Sequence, residues 1–521
     1  MTQTGFRITY ATLSADDERV DAEFDRGLEM AAGWLGGRHA SLVAGEERAG
    51  SSSYRTSSPI DTTRTIGEFG VAGQNDVDDA VRAAREAASG WTGAAWQERA
   101  GVLDRAADLI SERRSELAAL MCLEVGKTRL EALGDVEESA DLIRYYTHQL
   151  AESDGFVAPM QRLSPSEETV DMLRPYGVWA VISPFNYPMA LVAGPVGAAL
   201  ATGNTVVAKP SEIGALCGLK VLECFHEAGV PQAALSVLTG PGEVVGAALV
   251  EHGGVDGLTF TGSVEVGTGI YRRFPKAYPK PVVCEMGGKN PVVVAASAEL
   301  DTAVEGTARS AFGLAGQKCS AASRAYVEDA VADEFLERLT ERARGMVVGD
   351  PTRKETFVGP VIDRSAVERF ERAVDEATNR GEVLVGGGRL VGEGLERGYF
   401  VEPTVVGVPD DSWLWSTELF CPLIAVRRVA DLDEAIDRSN ATQFGLTAGF
   451  FGRDERKIAS FLDRIEAGVV YVNRRAGATT GAWPGVQPFG GWKASGTNGK
   501  AGGGPYYLHQ YLREQSRTIV S

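Results

Sequence analysis

GVWAVIS at Gly177–Ser183 and TVVAK at Thr205–Lys209 are short apolar runs rich in β-branched residues, and a Gly- and Ala-rich stretch of helical character separates them. Such runs have the composition expected of strands. The alternation of strand-like and helix-like segments continues as far as Gly257–Thr261. Short strands that alternate with helices predict an α/β fold built on a doubly wound parallel sheet.

Helical patterns dominate the chain before these runs, where apolar residues recur every three or four positions. The predicted helices are Val77–Trp91, Val102–Val125 and Asp135–Leu150. The first 60 residues look like an appended arm, and 157–172 is polar and punctuated by prolines, which predicts extended edge strands. A second alternating region runs from 281 to about 470, and a Gly-rich stretch and an aromatic, polar tail follow it.

Length and charge limit the number of domains and the possible partners. A chain of 521 residues is too long for one core, so two or three domains are expected. The net charge of −19 disfavours nucleic acids and anionic membranes as partners. No apolar run reaches the length of a membrane span, which predicts a soluble protein.

The cysteine and histidine contents point to a reducing compartment. Six cysteines lie far apart without a C-x-x-C pair, and the N-terminus does not resemble a signal peptide, so a cytoplasmic protein without disulfides is expected. Five scattered histidines argue against a His-based metal site. The acidic chain holds 11 lysines against 41 arginines, a bias that fits a high-salt cytoplasm or a GC-rich genome.

A single cysteine, Cys319, stands in FGLAGQKCSAASR at Phe312–Arg324. Its glycine and alanine neighbours allow close approach to the sulfur, and Gln317 and Ser320 make the setting polar. Buried structural cysteines usually lie among large apolar side chains, whereas reactive ones need access. By itself the stretch fits a nucleophile and an inert turn cysteine equally well.

Polar residues follow two of the predicted strands directly, where α/β sheets carry their chemistry. Ser183–Pro188 holds Asn186 between two prolines, either as a rigid amide donor or as an ordinary Asx-turn residue. In Lys209–Glu212, Lys209 and Glu212 can reach ribose hydroxyls, and a carboxylate there favours NAD over NADP. The alternative for that stretch is a capping box with a surface lysine.

Two later strand ends carry similar candidates. Phe260–Gly267 runs into a Gly-Ser turn and a helix, so Ser263 suits either a pyrophosphate or a simple N-cap. Cys284–Asn290 places Glu285 before two glycines, either as a general base that activates water against a thioester or as an exposed strand-end residue.

Taken together, these motifs resemble the aldehyde dehydrogenase superfamily in order and spacing, over about residues 60–521. Glu285 precedes Cys319 by 34 residues, as in that superfamily. The matching motifs are Pro184–Pro188, Lys209–Glu212, Phe260–Ser263, Glu285–Gly288 and Gly316–Cys319.

A narrower resemblance is to the Δ1-pyrroline-5-carboxylate dehydrogenase branch, which oxidises glutamate-5-semialdehyde to glutamate with NAD in proline breakdown. It rests on Gly316–Arg324, Asn473-Arg474, Thr480–Ala482, Gln487–Gly491, Ser495–Asn498, Lys500–Gly503 and Tyr507-Leu508. Two departures stand out. Arg475–Thr479 is longer than in that branch, and Cys421 replaces the usual glycine of the superfamily.

The resemblance implies roles for individual residues. Catalysis falls to Cys319 as nucleophile, Glu285 as general base and Asn186 as oxyanion donor. The implied NAD-binding residues are Ser183, Lys209, Ser211, Glu212, Gly242, Thr261, Gly262, Ser263, Glu418 and Phe420. The implied substrate-binding residues are Ser320, Phe185, Gly481, Ala482 and Phe489.

The resemblance also implies a Rossmann-type cofactor domain, an α/β catalytic domain, a small β oligomerisation element and a homo-oligomer. The expected ranges are 1–60 for the arm, 61–156 and 174–284 for the cofactor domain, 285–490 for the catalytic domain, and 157–173 with 491–521 for the oligomerisation element. Three alternatives remain open: an enzyme acting on succinic semialdehyde or a 2-oxo-aldehyde, a catalytically silent member, and a coenzyme A-acylating enzyme, which has no need of Glu285.

Overall fold

Two seven-stranded sheets, each flanked by helices, form the body of the protein. The structure is a computed structural model that describes residues 18–392, 394–476 and 483–521. Within these ranges no helix is both long enough and apolar enough to cross a membrane. The helices are α1 (Glu18–Ala32), α2 (Gln74–Gly93), α3 (Trp96–Glu112), α4 (Arg114–Val125), α5 (Arg129–Glu152), α6 (Ala190–Ala201), α7 (Ala215–Glu227), α8 (Ala247–Glu251), α9 (Val264–Arg273), α10 (Leu300–Phe312), α11 (Asp329–Arg344), α12 (Arg364–Arg380), α13 (Leu432–Asn440) and α14 (Glu455–Arg464).

The strands are mostly short. They are β1 (Gly37–His39), β2 (Ser41–Val43), β3 (Glu46–Arg48), β4 (Ser52–Ser57), β5 (Thr65–Val71), β6 (Val157–Pro159), β7 (Glu167–Pro175), β8 (Val178–Ile182), β9 (Thr205–Lys209), β10 (Leu235–Val237), β11 (Gly257–Thr261), β12 (Val282–Glu285), β13 (Asn290–Val294), β14 (Ala322–Glu328), β15 (Glu382–Val385), β16 (Thr404–Gly407), β17 (Leu423–Val429), β18 (Phe444–Gly445), β19 (Thr447–Phe451), β20 (Val469–Val472), β21 (Trp492–Lys493) and β22 (Leu512–Val520).

The first sheet has the order β12-β11-β8-β9-β10-β2-β3, and its first five strands run parallel. Every residue of β8 and β9 is buried, because helices cover both faces of a parallel sheet. The apolar runs at 177–183 and 205–209 are therefore strands, and the predicted parallel α/β sheet is confirmed.

The second sheet, β15-β16-β17-β14-β13-β19-β20, is parallel except for its edge strand β15. The chain passes from one sheet to the other over a very short distance, since Glu285 is the last residue of β12 and Asn290 is the first of β13. The carboxyl edge of the first sheet therefore meets the amino edge of the second. Side chains from both edges converge at this junction.

A three-stranded antiparallel sheet, β22-β7-β6, is formed by two segments far apart in sequence. β22 pairs with β7 over its full nine residues and is itself an edge strand, exposed along its length beyond Leu512. The polar stretch 157–172 does contain extended strands, as its composition predicted.

The described part of the predicted N-terminal arm is packed into the body rather than appended to it. α1 lies on α4, where a Cβ at Gly27 would come within 2.4 Å of the Ser115 backbone. β2 pairs with β10 and β3 with β2, so both extend the first sheet. Each of these strands has three residues, too few to leave a periodic pattern in the sequence.

The predicted helix at 102–125 is two helices, α3 and α4, which meet at Arg113. Arg113 has φ −92° and ψ 11°, and its guanidinium bonds Glu116 and Glu227. The apolar spacing continues across the break because both helices bury side chains in one core. Gly126 ends α4 with a left-handed φ of 76°.

Candidate active site

The carboxyl ends of neighbouring parallel strands lie side by side in the first sheet. Strand register pairs Ile182 with Lys209, Phe260 with Ile182, and Thr261 with Glu285. The polar residues predicted from four separate motifs therefore share one sheet edge, as expected for an α/β protein.

A cavity opens beside this edge and brings together Cys319, Glu285, Ser320, Phe489, Tyr187 and Tyr507. Cys319 is a free cysteine that is partly exposed, whereas the other five cysteines are buried. Among the described cysteines, the predicted nucleophile is thus the accessible one.

A tight turn presents Cys319 to the cavity. After α10 the backbone passes through three successive left-handed residues, Leu314 (φ 51°), Ala315 (φ 51°) and Gly316 (φ 69°). Left-handed conformations cost non-glycine residues free energy and cluster at functional sites. A Cβ at Gly316 would lie 2.2 Å from the Cys421 carbonyl oxygen, so a glycine is required there.

The backbone of the nucleophile is held by Asn290, whose role the motifs did not predict. Asn290 Nδ2 donates to the Cys319 carbonyl at 2.7 Å and to the Ala321 carbonyl at 2.9 Å, while its Oδ1 accepts from Thr447 N at 3.0 Å. A Cβ at Gly288 would lie 2.4 Å from the Cys319 carbonyl oxygen. This approach explains why the loop between the two sheets carries glycine.

The surroundings of Cys319 favour the thiol over the thiolate. Burial, followed by the carboxylates of Glu418 and Glu285, raises the pKa of the Cys319 thiol well above the ordinary value. Backbone N–H groups of Ser320 and Cys319 act in the opposite direction. Formation of the thiolate therefore requires an acceptor for the thiol proton.

Asn186 lies in the loop between β8 and α6. Its Nδ2 donates to the Gln317 carbonyl at 3.0 Å, which ties it to the segment two residues before Cys319. This bond spans 131 residues of sequence, so the Asn186 amide joins two distant segments of the chain. A primary amide carries two N–H bonds, so a second donor is left for a ligand.

A buried ion pair fixes this loop. Lys127 donates to the Asn186 carbonyl at 2.9 Å and pairs with Asp135 at 2.8 Å, and both charged side chains are fully buried. Asp135 also accepts from the Ala190 N–H at the start of α6. Neither Lys127 nor Asp135 was predicted, because nothing in the linear sequence links them to position 186.

Glu285 turns its carboxyl group towards the cavity. Burial raises its pKa to about 8, against a lowering contribution from a backbone hydrogen bond of Gly491. Its Oε2 is enclosed and has no hydrogen-bond partner among the described residues. A carboxyl group with such a pKa and a free oxygen is suited to general acid–base chemistry near neutral pH.

Glu418 approaches the loop between the sheets. Its Oε1 accepts from Gly288 N at 2.9 Å, and a Cβ at Gly287 would lie 2.1 Å from its Oε2. Burial raises its pKa to about 7. Phe420 follows with φ 55° and contacts Phe185 edge to face, with ring centroids 5.9 Å apart.

Most of the predicted cofactor residues lie at or just after the carboxyl ends of strands in the first sheet. Ser183 Oγ is buried without a partner among the described residues, and the buried Lys209 ammonium bonds Glu212 at 3.3 Å, so the pair is not a capping box. Ser263 is the N-cap of α9 and accepts a hydrogen bond from Val266 N at 3.3 Å, as the simple N-cap interpretation predicted. The remaining N–H groups at this helix N-terminus can still bind an anion. Ser211 follows β9, and Gly242 begins a π-helical turn at Gly242–Gly246. Thr261 is the last residue of β11, and Gly262 follows it.

The substrate candidates are only partly described. Ser320 is buried and lines the cavity with Phe489, while Phe185 stands against Phe420. Gly481 and Ala482 lie outside the described residues, as does the 477–479 part of the longer segment. The other wall of the cavity was not predicted from sequence. It is supplied by α5 and nearby loops through Glu138, Leu142, Tyr146, Trp483, Gln487 and Tyr507.

Known proteins resemble the chain along its whole length. The model of the aldehyde dehydrogenase family matches residues 46–516. The 1-pyrroline-5-carboxylate dehydrogenase of Geobacillus sp. strain WCH70 is 36% identical over 503 residues, 95% of each chain. The 1-pyrroline-5-carboxylate dehydrogenase 2 of Bacillus subtilis strain 168 is 36% identical over 510 residues, 97% of this chain and 96% of its own. The solved 1-pyrroline-5-carboxylate dehydrogenase from Thermus with bound NAD superposes with a TM-score of 0.93 at 34% identity, over 100% of both chains.

Proposed function

The chain belongs to the aldehyde dehydrogenase family, and we propose that it oxidises L-glutamate-5-semialdehyde, the open form of Δ1-pyrroline-5-carboxylate, to glutamate with NAD in proline degradation. The observation that carries this proposal is a single cavity shared by an accessible cysteine and a carboxyl group with a free oxygen. Full-length similarity to 1-pyrroline-5-carboxylate dehydrogenases supports the choice of substrate.

In the first half-reaction the Cys319 sulfur attacks the aldehyde carbon and forms a thiohemiacetal. The thiol proton passes to solvent as the thiolate forms, so Glu285 stays free for the second half-reaction. The developing oxyanion accepts from Asn186 Nδ2 and from the Cys319 backbone N–H. Loss of one such donor typically lowers the rate about 10²–10³-fold.

NAD, when bound, supplies the acceptor for the hydride that leaves the thiohemiacetal carbon. The residues proposed to hold it are Ser183, Lys209, Ser211, Glu212, Gly242, Thr261, Gly262, Ser263, Glu418 and Phe420. The Glu212 carboxylate beside Lys209 would repel a 2′-phosphate, which favours NAD over NADP.

In the second half-reaction Glu285 removes a proton from a water molecule that attacks the thioester on Cys319. The carbon–sulfur bond then breaks, the carboxylic acid leaves, and the thiol is restored. The free Oε2 of Glu285 supports this role, because it can accept that proton without giving up an existing hydrogen bond.

The α-carboxylate of the substrate is proposed to accept hydrogen bonds from Ser320 and from the backbone N–H groups of Gly481 and Ala482. Phe185 and Phe489 would form the walls of the aldehyde tunnel. Aromatic walls with few polar groups are the usual makeup of a small-molecule site.

At the level of the whole molecule we propose a cytoplasmic homo-oligomer adapted to high salt. The exposed edge strand β22 and the sheet around 157–173 and 491–521 suit pairing across subunits, because an edge strand presents unpaired N–H and C=O groups. The cofactor domain at 61–156 and 174–284 and the catalytic domain at 285–490 remain part of this proposal.

An aldehyde panel tests the substrate. With NAD, kcat/KM for glutamate-5-semialdehyde should exceed that for succinic semialdehyde and for a 2-oxo-aldehyde at least about 10-fold, since one or two matched polar contacts give that much discrimination. If kcat/KM for either of the other two aldehydes is equal or higher, the reaction class stands but the proposed substrate is wrong. Absence of NAD reduction with every aldehyde would indicate a catalytically silent member.

A further inference from the structure

A chain of buried hydroxyl groups ends at the cavity. Trp179 Nε1 donates to Thr259 Oγ1 at 2.9 Å, Thr259 Oγ1 lies 3.0 Å from the Tyr511 hydroxyl, and the Tyr511 hydroxyl lies 3.0 Å from that of Tyr507. All four residues are buried. The last of them, Tyr507, lines the cavity that holds Cys319 and Glu285.

Trp179 sets the direction of this chain, because an indole nitrogen can only donate. With Thr259 accepting from Trp179, the arrangement that uses every hydrogen has Thr259 donate to Tyr511 and Tyr511 donate to Tyr507. The reverse direction would leave the buried Thr259 hydroxyl hydrogen without an acceptor. An unsatisfied buried donor costs about 1–3 kcal/mol.

Tyr507 is therefore an acceptor towards Tyr511 and has its own hydrogen available for the cavity. The group there that lacks a donor is Glu285, whose Oε2 has no partner among the described residues. Both side chains line the same cavity. Burial first, then the neighbouring phenols and the Glu285 carboxylate, raise the pKa of Tyr507. Tyr507 thus keeps its proton and is suited to donating a hydrogen bond rather than to acting as a base.

We propose that Tyr507 is a positioning residue for thioester hydrolysis: its hydroxyl donates a hydrogen bond to the water molecule that Glu285 deprotonates. The water gives one proton to Glu285 Oε2 and its oxygen attacks the thioester carbon, while Tyr507 retains its own proton throughout. This role rests on the proposed function, and it concerns only the second half-reaction.

Tyr507→Phe tests the proposal, since it keeps the ring and removes the hydroxyl. Two rates are measured with glutamate-5-semialdehyde and NAD: the single-turnover formation of NADH and the decay of the acyl-enzyme followed by intact-protein mass. NADH formation should stay within about 2-fold of wild type, while thioester decay slows about 10- to 100-fold, because a misplaced reactant costs rates of this size.

Two further variants serve as a graded substitution and as a control. Tyr511→Phe leaves the Tyr507 hydroxyl in place but removes the donor that orients it, so thioester decay should slow by less than in Tyr507→Phe. Tyr145→Phe is the matched control, because Tyr145 neighbours Tyr146 on α5 but is not among the residues that line the cavity. The thioester on Tyr145→Phe should decay at the wild-type rate.

Wild-type decay of the thioester in Tyr507→Phe would overturn the proposal. An equal slowing of NADH formation and of decay would overturn it as well, since a merely structural role affects both half-reactions. Failure of the proposed function gives a different result: the wild-type protein itself would then form neither NADH nor an acyl group on Cys319.

Discussion

Glycines at 287, 288 and 316 surround the nucleophile for steric reasons that the structure makes explicit. At each position a Cβ would come within 2.4 Å of Glu418, of the Cys319 carbonyl or of the Cys421 carbonyl, respectively. In the sequence Gly316 indicated only access to the sulfur, and Gly287 and Gly288 were only the two glycines after Glu285. Their partners lie as many as 131 residues away along the chain, which a linear motif does not reveal.

Gly288→Ala should displace the backbone of Cys319 and lower kcat/KM about 100-fold or more, because small shifts of a reacting group are costly. Steady-state kinetics with NAD measure the effect. Gly90→Ala is the control: Gly90 is exposed on α2 and a Cβ there meets nothing within 4 Å. Its kinetics should match wild type, and wild-type kinetics in Gly288→Ala would contradict the steric argument.

Glu285→Gln should change the pH dependence of stability. The pKa of Glu285 is about 8 in the folded protein against an ordinary 4.5, so the folded state binds the extra proton between these values. The contribution of the Glu285 carboxyl group to the free energy of unfolding of the wild type therefore falls as pH rises from about 4.5 to 8. The thermal unfolding midpoint of Glu285→Gln, relative to that of wild type, should rise between pH 4.5 and 8 and stay level above pH 8. A constant difference from pH 4 to 9 would contradict the raised pKa.

Cys319→Ala should abolish aldehyde oxidation and leave NAD binding intact, since the sulfur forms the covalent intermediate but holds no part of the proposed cofactor site. Oxidation is followed by NADH absorbance, and NAD binding by calorimetry. Residual turnover above about one part in 10³ of wild type would contradict the assignment, because loss of a nucleophile commonly costs more than that.

At the scale of secondary-structure elements, α5 and α6 position Asn186, the proposed oxyanion donor, through the buried Lys127–Asp135 pair. Lys127→Met should leave Asp135 without a countercharge and destabilise the protein by about 3–5 kcal/mol. It should also lower kcat, because the Asn186 carbonyl loses its donor. Thermal unfolding and steady-state kinetics measure both effects.

Arg82→Ala is the matched control for that pair. Arg82 and Asp79 form an ion pair on α2 in which the Arg82 side chain is 65% exposed, so its loss should cost less than about 1 kcal/mol. Equal destabilisation by the two substitutions would show that burial of the Lys127 pair has no special importance.

Elements were predictable where their apolar pattern was long and regular. β8, β9 and α2 follow directly from their sequences, and the motif residues lie at strand ends because parallel strands align there. The break at Arg113 and the strands β2 and β3 were not predictable. An unbroken apolar face conceals the former, and three residues are too few to establish a period for the latter.

For the whole molecule, the net charge of −19 predicts that salt stabilises the fold. Self-repulsion of a strongly charged surface weakens as ions screen it, over a Debye length of about 10 Å at 0.1 M and about 3 Å at 1 M. The thermal midpoint should therefore rise between these NaCl concentrations. A non-ionic osmolyte such as sucrose serves as the control for solute exclusion. Full stability and activity without added salt would contradict the adaptation to high salt.

The motifs predicted Cys319 and Glu285 as site residues, and the fold places both on one cavity. They did not predict the contacts of Asn290, Lys127 and Tyr507, because the partners of these residues are brought close only by the fold. A nucleophile leaves a local signature in sequence. Its positioning network does not.

Covalent catalysis by Cys319 is tested by the intact-protein mass of Glu285→Gln after incubation with glutamate-5-semialdehyde and NAD. Without the base that activates water, we predict one equivalent of NADH and a stable mass increase equal to one acyl group, located on Cys319 by peptide mapping and absent from Cys319→Ala. An unmodified protein that still produces NADH, or an acyl group on another residue, would contradict it.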